Sequence, residues 1–90
     1  MSNTDQVSVD TAGIWPEDAQ DEEALVINWF VSEGSKIEEG EPICEIQVEK
    51  VDVEIPAPAS GTVAEIVLKE DTELERGDTL AYISSTPSHD

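Results

Sequence analysis

The sequence predicts an all-β domain built as a small two-fold sandwich. An internal repeat, apolar residues alternating with polar ones, and closely spaced turn signals all point that way. The repeat is ungapped. ALVINWFVSEGSKIEEGEPICEIQ, from Ala24, overlays GTVAEIVLKEDTELERGDTLAYIS, from Gly61, at a shift of 37 positions. Val26 falls on Val63, Glu33 on Glu70, Glu38 on Glu75, Gly40 on Gly77 and Ile46 on Ile83. Each unit has one apolar face and is marginal alone; packed face to face, the two share a core.

The elements follow in chain order. Glu17–Glu23 is acidic and reads as a loop. In the first repeat, Cys44, Ile46 and Val48 alternate with Glu45, Gln47 and Glu49, which places one set inward and the other toward water. Val51 to Ile55 alternates in the same way, apolar with acidic. Pro56 and Pro58 in IPAPASG end that strand and join the halves. Glu33-Gly34, Glu39-Gly40, Ser60-Gly61 and Arg76-Gly77 are turn signals, because glycine reaches positive φ cheaply. The expected core is Val26, Trp29, Val31, Ile37, Ile43, Ile46, Val48, Val53, Ile55, Val63, Ile66, Leu68, Leu74, Leu80 and Ile83. Trp29 has a second reading as a surface anchor for a partner. Cys44 overlays Ala81 and reads as a small buried hydrophobe rather than a reactive thiol.

Ninety residues make one small domain, with little room for a catalytic cleft. The expected boundaries are a tail at 1–5, the domain at 6–85 and a second tail at 86–90. No apolar run is long enough to span a bilayer, and Met1 to Asp10 does not resemble a secretory signal; the expected compartment is the cytoplasm. The single cysteine excludes an internal disulfide, no Cys/His cluster suggests zinc, and His89 reads as a tail residue. Twenty-two acidic residues stand against four basic ones, for a net charge of −18. That charge argues against nucleic acid and anionic membrane as partners and favours a monomer. The acidity reads either as a solvated, self-repelling surface, as in a saline cytoplasm, or as a means of steering toward basic partners.

Only Glu49 and Lys50 separate the strands at 44–48 and 51–55, so the link is a tight turn. Neither residue is Gly, Asn, Asp or Pro, which breaks a local rule at the point where function would show. A type I turn accommodates most residues. Lys50 sits among Glu45, Glu49, Asp52 and Glu54. It is either a solvated lysine offsetting those acids or an accessible amine on a rigid tip, suited to covalent attachment. It is poorly placed as a catalytic lysine, which needs burial to lower its pKa.

EIQVEKVDVEIPAPASGTVAEI resembles the lipoyl-attachment region of 2-oxoacid dehydrogenase acyltransferases, and the likeness extends over about residues 6–85. Glu49-Lys50-Val51 matches the acid, lysine and small or branched apolar residue of that family, and Ile55 to Val63 matches its I-P-A-P-x-x-G-x-V. The resemblance implies a flattened β-barrel of two four-stranded antiparallel sheets with a pseudo-two-fold axis. It implies lipoic acid in amide linkage to Lys50, with Gln47, Glu49 and Val51 as recognition residues around it. It also implies a non-catalytic carrier serving a thiamine-dependent 2-oxoacid decarboxylase, an acyltransferase and dihydrolipoyl dehydrogenase, and modified by a lipoate ligase or lipoyl transferase. Gln47 departs from the glutamate common in the family three residues before the lysine. The chain reads as a free-standing carrier or an excised domain. The symmetry places its ends opposite the turn, since Lys50 shifted by 37 lands on Pro87 or Gly13.

Three other functions compete. A biotinyl carrier shares the fold, but its usual Ala-Met-Lys-Met is missing, Met1 being the only methionine. A glycine-cleavage carrier protein is longer and carries extra helices. An unmodified barrel-sandwich module that only binds partners has no need of a lysine at this turn.

Overall fold

The computed structural model describes residues 5–11 and 13–85. The alternation read in the sequence becomes alternation in burial. Strand β4 (Pro42–Val48) turns Ile43, Cys44, Ile46 and Val48 inward and leaves Glu45 and Gln47 on its outer side. The other strands are β1 (Asp5–Asp10), β2 (Glu23–Trp29), β3 (Lys36–Ile37), β5 (Val51–Pro56), β6 (Gly61–Ile66), β7 (Glu73–Glu75) and β8 (Thr79–Ser85). They form two four-stranded antiparallel sheets, β1-β8-β6-β3 and β5-β4-β2-β7. The sheets do not close into a barrel, so the architecture is a sandwich of two separate sheets. Among the described residues no helix is long and apolar enough to cross a membrane.

The repeat is a structural symmetry. Shifting by 37 carries β2, β3 and β4 onto β6, β7 and β8. Each half lends its shortest strand to the other, β3 pairing with β6 and β7 with β2. Hydrogen bonds repeat across the axis. Trp29 N–H donates to Glu70 Oε2 at 3.0 Å, and Ile66 N–H to Glu33 Oε2 at 2.9 Å. Val26 N–H donates to the Thr72 carbonyl, and Val63 N–H to that of Ser35, both at 2.9 Å. The identical pair Glu33 and Glu70 is thereby explained: each carboxylate satisfies a backbone donor of the other half. The β4–β5 ladder ends at Val48↔Val51 and the β1–β8 ladder at Asp5↔Ser85. Ser85 is the repeat partner of Val48, so the ends of the described chain take the position related by symmetry to the Glu49-Lys50 turn. Asp5, expected in a tail, opens β1. Pro87, His89 and the rest of both expected tails lie outside the described residues.

The buried cluster contains ten of the expected core residues: Val26, Ile37, Ile43, Ile46, Val48, Ile55, Val63, Leu74, Leu80 and Ile83. Trp29, Val31, Val53, Ile66 and Leu68 are only partly buried and pack against its margin. Trp29 lies at the end of β2, and its indole N–H donates to the Leu68 carbonyl at 2.8 Å. Val9, Trp15, Ala24, Cys44, Ala57 and Ala81 complete the cluster.

Cys44 is fully buried, as is Ala81 at the symmetric place. Burial pushes the Cys44 thiol up from 9.0 to about 12, helped by the Glu45 and Glu70 carboxylates and opposed by its hydrogen bond to the Glu45 carbonyl. The thiolate is the nucleophile. An alkylating reagent at pH 8 should therefore leave the native protein unlabelled and modify it fully in denaturant; rapid labelling of the folded form would contradict this. Keeping the thiol neutral stabilises the fold below pH 9, and that contribution is lost as pH rises toward 12.

Acidic residues gather on the outer face of the β5-β4-β2-β7 sheet. Glu23, Glu45, Asp52, Glu54, Glu73 and Glu75 lie there, with Glu45 directly opposite Glu54 and Glu23 opposite Glu75. The outward positions of the other sheet are mostly neutral, including Gln6, Ser8, Thr62, Tyr82 and Ser84. Like charges paired across strands repel. Added salt should raise the stability by on the order of 1 kcal/mol through screening. Urea midpoints at low and high salt check this; no rise at high salt would remove self-repulsion as the account of the acidity.

Candidate functional site

Val48 pairs with Val51, leaving Glu49 and Lys50 as a two-residue hairpin turn. The anchoring strand β4 is an inner strand of its sheet, held by β5 on one side and β2 on the other. The base of the turn is firm because Val48 and Ile46 are fully buried. The turn is not type I. Glu49 has φ of 58°, in the left-handed region, whereas Lys50 does not have positive φ. Positive φ at the first central position alone is the type II′ pattern, which suits the right-handed twist of paired strands. For a residue with a Cβ this conformation costs about 1–2 kcal/mol.

The offset comes from a segment distant in sequence. Glu49 Oε2 accepts hydrogen bonds from the backbone N–H groups of Gln20, at 2.5 Å, and Asp21, at 2.9 Å. The loop holding those donors is itself fastened. Trp15, buried among core residues, donates its indole N–H to the Asp21 carbonyl at 3.0 Å. The buried Thr11 hydroxyl accepts from Gly77 N–H at 2.9 Å, and Arg76 N–H donates to the Glu22 carbonyl at 2.8 Å. The expected loop at 17–23 is thus a bracket against the turn; its last residue, Glu23, opens β2.

Lys50 projects from this support into solvent. Among the described residues the only ion pair joins Arg76 to Glu22 at 3.8 Å, so the surrounding acids do not capture the Lys50 ammonium. Both a solvated lysine offsetting those acids and an accessible amine on a rigid tip are compatible with this exposure. Val51, beside it, is 54% exposed, unusual for a valine in a strand. Gln47 lies on the outer face, as expected, directly opposite Asp52, and its amide donates to Asp52 Oδ1 at 3.3 Å. A carboxylate at position 47 would meet Asp52 as a like charge, so Gln47 suits this acidic face. Gln20, Asp21, Glu49, Lys50 and Val51 line a shallow open depression at the tip. The structure therefore brings Lys50, Glu49 and Val51 together at the apex, with Gln47 one ladder step below. Gln20 and Asp21 were not legible as part of the site.

The other lysines are placed differently. Lys36 lies in β3, paired with Thr62, and Lys69 lies beside a depression lined by Trp29, Val31 and Ile66. Neither is at the apex of a hairpin.

Comparison with known proteins finds likenesses in sequence and in fold. Dihydrolipoyllysine-residue acetyltransferase components of pyruvate dehydrogenase complexes are similar in sequence. That of Staphylococcus aureus is 40% identical over 68 residues, covering 76% of this chain and 16% of the relative. That of Staphylococcus epidermidis is 40% identical over 63 residues, covering 70% and 14%. The chain thus spans about a sixth of the length of these relatives. Among solved structures, the lipoyl domain of the 2-oxoglutarate dehydrogenase complex from Azotobacter vinelandii superposes with a TM-score of 0.70 at 27% identity, covering 90% of this chain and all of that one. The Kluyveromyces lactis urea carboxylase shares the fold, with a TM-score of 0.72 at 20% identity over 92% of this chain and 6% of that one. The family model described as "Biotin-requiring enzyme" matches residues 15–83, which include the whole Glu49-Lys50 hairpin, and the chain belongs to that biotin/lipoyl family.

Proposed function

We propose that Lys50 is the attachment point of lipoic acid. The chain then acts as a swinging-arm carrier, not as an enzyme in its own right, within a 2-oxoacid dehydrogenase-type complex. The observation that carries this reading is an uncaptured amine at the apex of a braced hairpin, flanked by Glu49 and Val51. It stands in a chain 40% identical to parts of dihydrolipoyllysine acetyltransferases. The residues present fit the group, since Nζ is free to form an amide and the apex is open on its outer side. In amide linkage the cofactor would supply a dithiolane able to carry acyl groups and electrons. The chain's own share is presentation. The two strands hold the apex rigid, Val51 offers an apolar contact beside the arm, and tethering raises the effective concentration at each partner. Those partners are a thiamine-dependent decarboxylase, an acyltransferase and dihydrolipoyl dehydrogenase, with a lipoate ligase or lipoyl transferase as modifying enzyme. Residues 6–85 form the proposed carrier unit, and the cytoplasm remains the proposed compartment.

A biotinyl carrier is the second reading, favoured by the matching family model, which is described as "Biotin-requiring enzyme". Glu49 and Val51 stand where that group's methionines would flank the lysine. One experiment separates the readings. The unmodified protein is incubated with lipoate ligase and lipoate, and in parallel with biotin ligase and biotin, and the label is located by tandem mass spectrometry. Lipoyl on Lys50 alone is expected. Label on Lys36 or Lys69, or efficient biotinylation without lipoylation, would refute the assignment.

A further inference from the structure

We propose that Glu49 is a positioning residue whose carboxylate sets the presentation of Lys50 by holding the turn against the loop at Gln20-Asp21, and that it acts as a hydrogen-bond acceptor rather than as a charge read by the modifying enzyme. This rests on the reading of Lys50 as the modified residue. Three observations support it. Glu49 is the turn residue with left-handed φ, a conformation its own backbone disfavours. Its Oε2 accepts from two consecutive backbone N–H groups 28 and 29 positions away, so the side chain is turned back toward the loop. The acceptor has a fixed counterpart, because Trp15 holds the Asp21 carbonyl from the core side while Gly77 and Arg76 hold Thr11 and Glu22. A carboxylate committed in this way is withdrawn from the adjacent ammonium, in keeping with the lack of an ion pair at Lys50 among the described residues.

The proposal separates two properties of glutamate, its charge and its acceptor oxygen. Glu49→Gln removes the first and keeps the second. Glu49→Ala removes both, and Glu49→Gly removes both while easing the left-handed backbone. Two readouts are taken on each folded variant: hydrogen exchange at the Gln20 and Asp21 amides of the unmodified protein, and steady-state lipoylation by the ligase. In Glu49→Gln both should stay within about threefold of wild type, because the amide oxygen can still accept both bonds. In Glu49→Ala and Glu49→Gly, protection of the two amides should fall by about tenfold. The KM of the domain as ligase substrate should rise by about tenfold with little change in kcat, since only a fraction of molecules then presents the competent turn. Glu49→Gln as impaired in lipoylation as Glu49→Ala would show that the charge itself is read and overturn the proposal. Unchanged amide protection in Glu49→Ala, or a wild-type KM in Glu49→Gly, would overturn the clamp. If the wild-type domain takes no lipoate, the reading of Lys50 fails and the presentation claim with it; amide exchange would still report the clamp separately.

Discussion

Lys50→Arg should abolish lipoylation while leaving the fold as stable as the wild type. Arginine keeps the positive charge, but its guanidinium stays protonated at any pH the protein survives and does not replace a primary amine in amide formation. The loss should be complete, because Lys36 and Lys69 lie outside the hairpin apex. Stability should change by less than about 0.5 kcal/mol, in Lys50→Arg as in Lys50→Ala, the range for exposed positions without specific contacts. Lys50 is exposed, has no ion pair among the described residues and is absent from the core cluster. Thermal melting together with label incorporation checks both halves. A large fall in melting temperature would make Lys50 structural, and residual labelling would move the site.

Gly61→Ala should have the largest effect on stability, on the order of 3 kcal/mol, because the added methyl meets backbone rather than a side chain that can move. A Cβ at Gly61 would sit 2.1 Å from the Ser84 carbonyl oxygen and 3.0 Å from Ser85 Cα. Gly61 pairs with Ser85 on one side and Ile37 on the other, so relief of the clash would push apart β6 and β8, the two inner strands of their sheet. Gly34→Ala provides the contrast. Nothing lies within 4 Å of its Cβ position, so only its left-handed φ of 92° is penalised, at about 1–2 kcal/mol. Urea denaturation of both variants tests the distinction. A loss at Gly61 no larger than at Gly34 would contradict close approach as the reason for glycine there.

Much of this fold was legible because its halves repeat without a gap and its strands alternate strictly. The ladder of β4 with β5 and the burial of Cys44 follow from those two patterns, and the turns at Gly34, Gly40 and Gly77 from their glycines. What was not legible depends on contacts distant in sequence. Gly61 reads as one more turn glycine, but it opens β6 and is needed for proximity to β8. Trp15 lies among Pro16, Glu17 and Asp18, where no period marks it as core, yet it is 4% exposed and holds the loop in place. Trp29 falls within the repeat and reads as core, but a strand-end position leaves it half-buried. Glu23, Glu45, Asp52, Glu54, Glu73 and Glu75 are scattered along the sequence, and only strand order collects these six on one sheet. At the site, Lys50 and its neighbours were readable from the short link between two alternating runs. The left-handed Glu49 was not, because its carboxylate is held by the amides of Gln20 and Asp21, 29 and 28 positions away, rather than by its local sequence.

The central claim, that Lys50 carries lipoic acid, is tested most directly by the intact mass of the protein purified from its own cells. The expected result is a population heavier than the unmodified polypeptide by one lipoyl group, with the added mass on the peptide containing Lys50. A single biotinyl increment, or a wholly unmodified protein from cells that lipoylate their other carriers, would contradict it.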